Sequence, residues 1–159
     1  MRSIGWKDME TSKISAMILE AFPVAGFVID DDHRITHWNR ACEILTNVPR
    51  QTIVGTSNQW QLFYSTPRMV MADLDLRHDG NKLADDLYLG KVRHSQIIPG
   101  TYEAEDFFPR LGENGGRWLY FTATPLCNDH GTVIGAIETS QAPTKPQQML
   151  EHRDAGDSV

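Results

Sequence analysis

Apolar and polar residues alternate along 102–110, 117–125 and 132–140, and the links between these runs, 111–116 and 127–131, are rich in Gly, Asn and Asp. A period of two turns one face of each strand toward a core and the other away from it. Short turn-rich links between such runs predict three consecutive antiparallel strands. Upstream, Gly26-Phe27-Val28-Ile29-Asp30 reads as a buried strand and 34–39 as a second one. Asp30-Asp31-Asp32-His33 makes the turn between them, because Asp side chains accept from nearby backbone amides. The adjacent carboxylates are read as a solvated hairpin turn in preference to a metal site.

The remaining periodicity is helical. Ile14, Met17, Ile18 and Ala21 recur on one face behind Asp8, Thr11 and Ser12, any of which suits a cap, and Pro23 ends the segment. Asn39 is a good N-cap for a helix whose apolar face is Ala41, Cys42 and Leu45, stopped by Thr46, Asn47 and Pro49, so Cys42 reads as a small core residue. In 55–95, Trp60, Leu62, Phe63 and Tyr64 form an aromatic cluster, and Pro67 suits a helix start with Met69, Val70, Ala72, Leu74 and Leu76 as its apolar residues. A further helix is predicted over 82–94 with Leu83, Leu87, Tyr88 and Val92 inward. The tail from Gln141 is polar, carries Pro143 and Pro146, and predicts at most a short helix over 147–152.

The run VIDDDHRITHWNRACEILTNVPRQTIVG resembles the hairpin and first helices of PAS sensors, and GRWLYFTATPLCNDHGTVIGAIET resembles their final hairpin. Trp60 to Tyr64, Ala72-Asp73-Leu74 and Tyr102-Glu103-Ala104-Glu105-Asp106-Phe107-Phe108-Pro109 are similar to a subgroup of bacterial PAS input modules joined to histidine kinases, chemoreceptors or diguanylate cyclases. The resemblance implies an α+β PAS fold with elements in the order ββααα(α)βββ. It implies a five-stranded antiparallel sheet covered by helices on one face, and an amphipathic N-terminal helix that packs outside the sheet or against its copy in a dimer. The corresponding division is an N-terminal segment at 1–12, the PAS domain at 13–140 and a polar tail at 141–159. Many relatives leave the last strand through Asp-Ile-Thr, where this chain has Ala142-Pro143-Thr144, which argues against signalling through a continuous output helix.

Composition narrows the chemistry. A chain of 159 residues suits one domain. A net charge of −6, from 21 acidic and 15 basic residues without a dense basic stripe, argues against nucleic acid and anionic membranes. Cys42 and Cys127 stand in no metal-ligand spacing and fit free thiols in a reducing compartment. With no apolar leader and no long apolar run, the expectation is a cytoplasmic protein without membrane insertion. No nucleophile elbow or phosphate loop is present, so no catalytic residue and no metal site is assigned. The segment from Asp75 to Asp86 echoes a calcium loop with Gly80 at its sixth position, but Arg77 at a ligand place favours a turn between helices.

What remains is a pocket between sheet and helices, with Phe27, Ile29, Trp60, Tyr64, Tyr88, Trp118, Tyr120 and Phe121 as candidate lining or as plain core. Trp118 and Tyr120 share one strand face, Leu119 and Phe121 the other, and periodicity alone does not fix which meets the helices. The resemblance admits a haem iron on His78 or His94, or a non-covalent flavin. It excludes the cysteinyl-flavin chemistry of LOV sensors, which needs a Cys in the mid-domain helices. The leading reading is a non-enzymatic sensor or adaptor that binds a small molecule or a partner such as a histidine kinase, as a homodimer. The alternatives are a ligand-free interaction module, a haem- or flavin-binding redox or gas sensor, and an enzyme using Asp73, His78 or His94.

Overall fold

The computed structural model describes residues 9–112 and 115–143. In chain order it has α1 (Thr11–Ala21), β1 (Ala25–Asp30), β2 (Ile35–Trp38), α2 (Arg40–Thr46), α3 (Arg50–Ile53), a 3-10 turn (Gln59–Leu62), α4 (Met71–Asp75) and α5 (Gly80–Tyr88). Four strands follow: β3 (Arg93–His94), β4 (Tyr102–Phe108), β5 (Arg117–Cys127) and β6 (Val133–Gln141). The polar tail from residue 144, with the helix expected at 147–152, and the start of the N-terminal segment lie outside the described residues.

All strands join one antiparallel sheet in the order β2-β1-β6-β5-β4-β3, so the last strand of the meander closes against the first hairpin. The sheet has six strands where five were expected. The addition is β3, whose two residues pair with Glu103 and Tyr102 of β4 inside the stretch predicted to be helical. That helix ends earlier, at Tyr88, because Leu89 adopts the left-handed conformation and Gly90 follows it there. The expected helix after Pro67 is also shorter, since α4 begins only at Met71. There the Asp73 carboxylate reaches back to accept the Val70 amide at 2.8 Å and fixes the first turn.

Burial settles the phase left open by periodicity. Leu119, Phe121 and Ala123 of β5, Ala104 and Phe108 of β4, Phe27 and Ile29 of β1 and Ala136 of β6 are buried in one core with Met71, Ala72, Leu74, Ala84 and Tyr88 of the helices. Trp118, Tyr120, Thr122 and Thr124 alternate with them on the opposite face. The joint between α4 and α5 is tight: a Cβ on Gly80 would lie 2.3 Å from the Leu74 carbonyl oxygen and 3.0 Å from the Tyr102 hydroxyl. Gly80→Ala must therefore displace backbone, and a thermal melt should show destabilisation of roughly 1–3 kcal/mol; an unchanged melting temperature would refute the close approach.

Candidate functional site

Between sheet and helices the aromatic rings form a continuous chain. Tyr88 meets Phe121 at 5.8 Å between centroids, Phe121 meets Phe108 at 5.5 Å, and Phe108 meets Phe63 at 5.4 Å and Tyr64 at 6.0 Å. At the rim the Arg68 guanidinium lies over the Tyr64 ring at 3.9 Å and the Tyr88 ring at 4.9 Å. Burial pushes the Tyr64 hydroxyl up to about 12 and raises that of Tyr88.

Of the eight candidate lining residues, Phe27, Ile29, Tyr88 and Phe121 are buried here, and Tyr64 is half-buried at the edge of the ring chain. Trp60, also half-buried, lines a surface cleft of about 480 Å³ with Val48, Asn58 and Leu62. Trp118 and Tyr120 must be moved to the other side of the sheet, because β5 turns Leu119 and Phe121 inward.

Beside the rings lies a buried polar network that periodicity did not reveal. Asp73 on α4, 4 % exposed, places Oδ1 2.6 Å from His33 Nδ1 and accepts from Gln59 Nε2 at 3.2 Å on the same oxygen. Gln59 Nε2 also donates to the His33 carbonyl at 3.1 Å. His33 itself takes a positive φ of 62°, uncommon for a side chain with a Cβ, and its ring ties the β1–β2 turn to the helical layer.

Next to Asp73 in sequence, the Ala72 amide donates to Glu138 Oε2 at 2.8 Å. Glu138 stands on the inner face of β6, 3 % exposed, between Ala136 and Ser140. Its carboxyl is pushed up to about 8, first by burial and then by Asp73 and Asp75, against the pull of the Ala72 amide. Burial raises Asp75 to about 8 as well. Asp75 Oδ2 and Gln59 Oε1 are buried without a hydrogen-bond partner.

The other candidate groups lie elsewhere. His78 and His94 are exposed, His94 against the Tyr102 ring at 5.3 Å, and among the described residues no histidine is buried in the core. The carboxylates of Asp30, Asp31 and Asp32 approach one another, yet Asp30 Oδ1 accepts from the amides of Asp32 and Arg34, as a hairpin turn requires. Asp75 and Gly80 end one helix and start the next, so the segment that echoes a calcium loop is a turn between helices. Cys42 is buried, and burial pushes its thiol up, while Cys127 is exposed.

Two apolar surfaces face outward. On α1, where no residue is buried, Met17 and Ile18 are about half exposed, as is Phe22 just after its end. On the open face of the sheet, Val28 pairs with Ile137, Thr122 Oγ1 contacts Thr139 Oγ1 at 2.6 Å, and Phe107 packs on Trp118 at 5.8 Å. Tyr120 donates to Glu103 there at 2.8 Å. Among the described residues no helix is long and apolar enough to cross a membrane.

A family model described as the PAS fold matches residues 16–74, from α1 through most of α4. The PAS domain of BvgS from Bordetella pertussis superposes with a TM-score of 0.54 at 13 % identity, over 94 % of this chain and 100 % of that one. A PAS domain from Colwellia psychrerythraea gives 0.53 at 15 % identity, over 86 % and 99 %. An RNA-binding light-oxygen-voltage receptor gives 0.55 at 18 % identity, over 98 % of this chain and 40 % of the receptor. No curated protein matches the sequence. These likenesses fix the architecture: the six-stranded sheet and its helical layer are a PAS fold.

Proposed function

We propose that this PAS-fold chain is a non-enzymatic sensory or adaptor protein of the cytoplasm that signals by protein contact, as a homodimer or with a partner such as a histidine kinase. PAS domains are sensory modules of signal transduction. The observation that carries the reading is the contrast between interior aromatic rings packed on one another and two apolar surfaces left outward. Phe63, Tyr64, Tyr88, Phe108 and Phe121 occupy one another's faces and edges between sheet and helices. Met17 and Ile18 of α1 and Phe22 just after it are about half exposed, and the strip around Val28, Ile137, Tyr120 and Trp118 is half-buried on the open face of the sheet. A helix face and a sheet face of this kind bury each other across a two-fold axis.

Static light scattering at micromolar concentration should therefore report a dimer, and Ile18→Glu or Ile137→Lys should give a monomer with unchanged far-ultraviolet circular dichroism. A monomeric parent protein defeats the homodimer and leaves the hetero-partner as the contact.

The packing of these rings on one another favours contact signalling over a resident chromophore. The visible absorption spectrum of protein freshly purified from its own cytoplasm should be flat, whereas a Soret or flavin band would replace this reading with a cofactor-based sensor. His33 and Asp73 make an acid–base pair, yet among the described residues no Ser or Cys side chain bonds to His33, so acyl-transfer chemistry has no nucleophile at hand.

A further inference from the structure

We infer that Glu138 and the first turn of α4 form a proton-operated latch: with the carboxyl neutral α4 stays closed on β6, and with it ionised α4 separates from the sheet. The latch is independent of any dimer or ligand. Its geometry is a single close contact between two layers, Ala72 N–H to Glu138 Oε2 at 2.8 Å, at a carboxyl 3 % exposed.

The groups around that carboxyl offer an anion little compensation. From α4 it faces Asp73 and Asp75, both acidic, and Asp75 has a buried oxygen without a partner. From α2 it faces the buried Cys42 thiol, and from the far side the hydroxyls of Tyr64 and Tyr88. The Arg68 guanidinium lies over those two rings, and the His33 ring sits on Asp73 at 2.6 Å, so both are engaged by other partners.

An ionised Glu138 gains one charge-assisted bond from Ala72 and loses its hydration in a volume that already holds the acids Asp73 and Asp75. Hydrating the anion requires the first turn of α4 to lift, and this five-residue helix is held by the burial of Met71, Ala72 and Leu74 more than by its own hydrogen bonds. Movement of α4 carries Asp73 with it. Because Asp73 holds His33 and, through Gln59, the His33 carbonyl, the β1–β2 turn feels the same event.

The test is NMR on the full chain from about pH 5 to about pH 10, which spans the ordinary and the shifted carboxyl ranges. The Glu138 side-chain carboxyl carbon is followed together with hydrogen exchange at the Ala72 and Asp73 amides, corrected for the intrinsic pH dependence of exchange. The carboxyl should titrate far above the usual Glu range, with protection of the two amides falling at least about tenfold across the same midpoint, the size of one pKa unit of coupling. Glu138→Gln should keep that protection throughout, and Asp75→Asn should lower the Glu138 midpoint by removing a neighbouring acid. A carboxyl that titrates in the ordinary range, or amide protection that stays level while it titrates, overturns the latch. Should a variant fail to fold, the titration and exchange of the parent protein still decide between these outcomes.

Discussion

Asn39→Ala should lower the unfolding free energy by roughly 2–4 kcal/mol in urea denaturation, the sum expected for a lost helix cap and buried groups left unpaired. Asn39 is 2 % exposed and uses its whole amide. Its oxygen accepts from the Cys42 amide at 2.9 Å, capping α2, and from the Gly26 amide at 3.0 Å on β1. Its nitrogen donates to the Val24 carbonyl at 2.8 Å and to the Leu19 carbonyl at 3.1 Å, the end of α1. One side chain thus joins α1, β1 and α2.

Asn39→Asp separates the roles. The acceptor side survives, so α2 keeps its cap, while the donors to Leu19 and Val24 are replaced by an oxygen facing two carbonyls. The expected result is an intermediate loss of stability with α1 released from the body, visible as raised hydrogen exchange over Thr11–Ala21 alone. Equal exchange in α1 and α2 would show that the two helices are not held independently.

Asn39 illustrates what was legible in the sequence. A polar, short side chain immediately before an apolar helical run has a local signature, so the cap was predictable, whereas its bonds to Gly26, Val24 and Leu19 depend on three segments meeting in space. The strands of the meander were legible for the same local reason, since alternation over 117–125 sets their existence and spacing. Their phase was not, because Trp118 and Tyr120 are as bulky and apolar as Leu119 and Phe121. Hydrogen-bonded partners on the polar side decided it, with the Tyr120 hydroxyl on Glu103 and the threonines of β5 and β6 on each other.

The strand β3 escaped notice because its two residues have no period to detect, and its existence depends on β4 lying alongside. The carboxyl network was hidden in a different way. Glu138 falls in step with Ala136 and Ser140, so an acid on the inward face was written in the sequence once that face was known. Nothing local, however, signals that Ala72 and Asp73 will sit opposite it.

Glu138 also sets the pH dependence of stability. Its carboxyl is about 8 in the folded chain and has an ordinary Glu value when unfolded, so between the two the native state holds more protons than the unfolded state. Stability contributed by the neutral carboxyl is then fully present below the unfolded value and is lost as pH rises toward the folded one. At roughly 1.4 kcal/mol per unit, the loss attributable to Glu138 by about pH 8 is of the order of 3–5 kcal/mol. Asp75, raised in the same direction by burial, adds to the alkaline loss.

The opposite sign operates at the acid end. Arg50 holds Glu43, and Arg77 holds Asp79, below the usual carboxylate range, so their contributions exist above the unfolded values and disappear as pH falls through the folded ones. Stability should therefore peak in mildly acidic solution and decline on both sides, more steeply toward alkali. Glu138→Gln keeps an acceptor for the Ala72 amide and removes the ionisation. It should leave the acid limb unchanged and flatten the alkaline one, so that the variant overtakes the parent increasingly from about pH 5 to about pH 8. Parallel urea midpoints for the two proteins across that range would show that Glu138 ionises in the folded chain as readily as in the unfolded one.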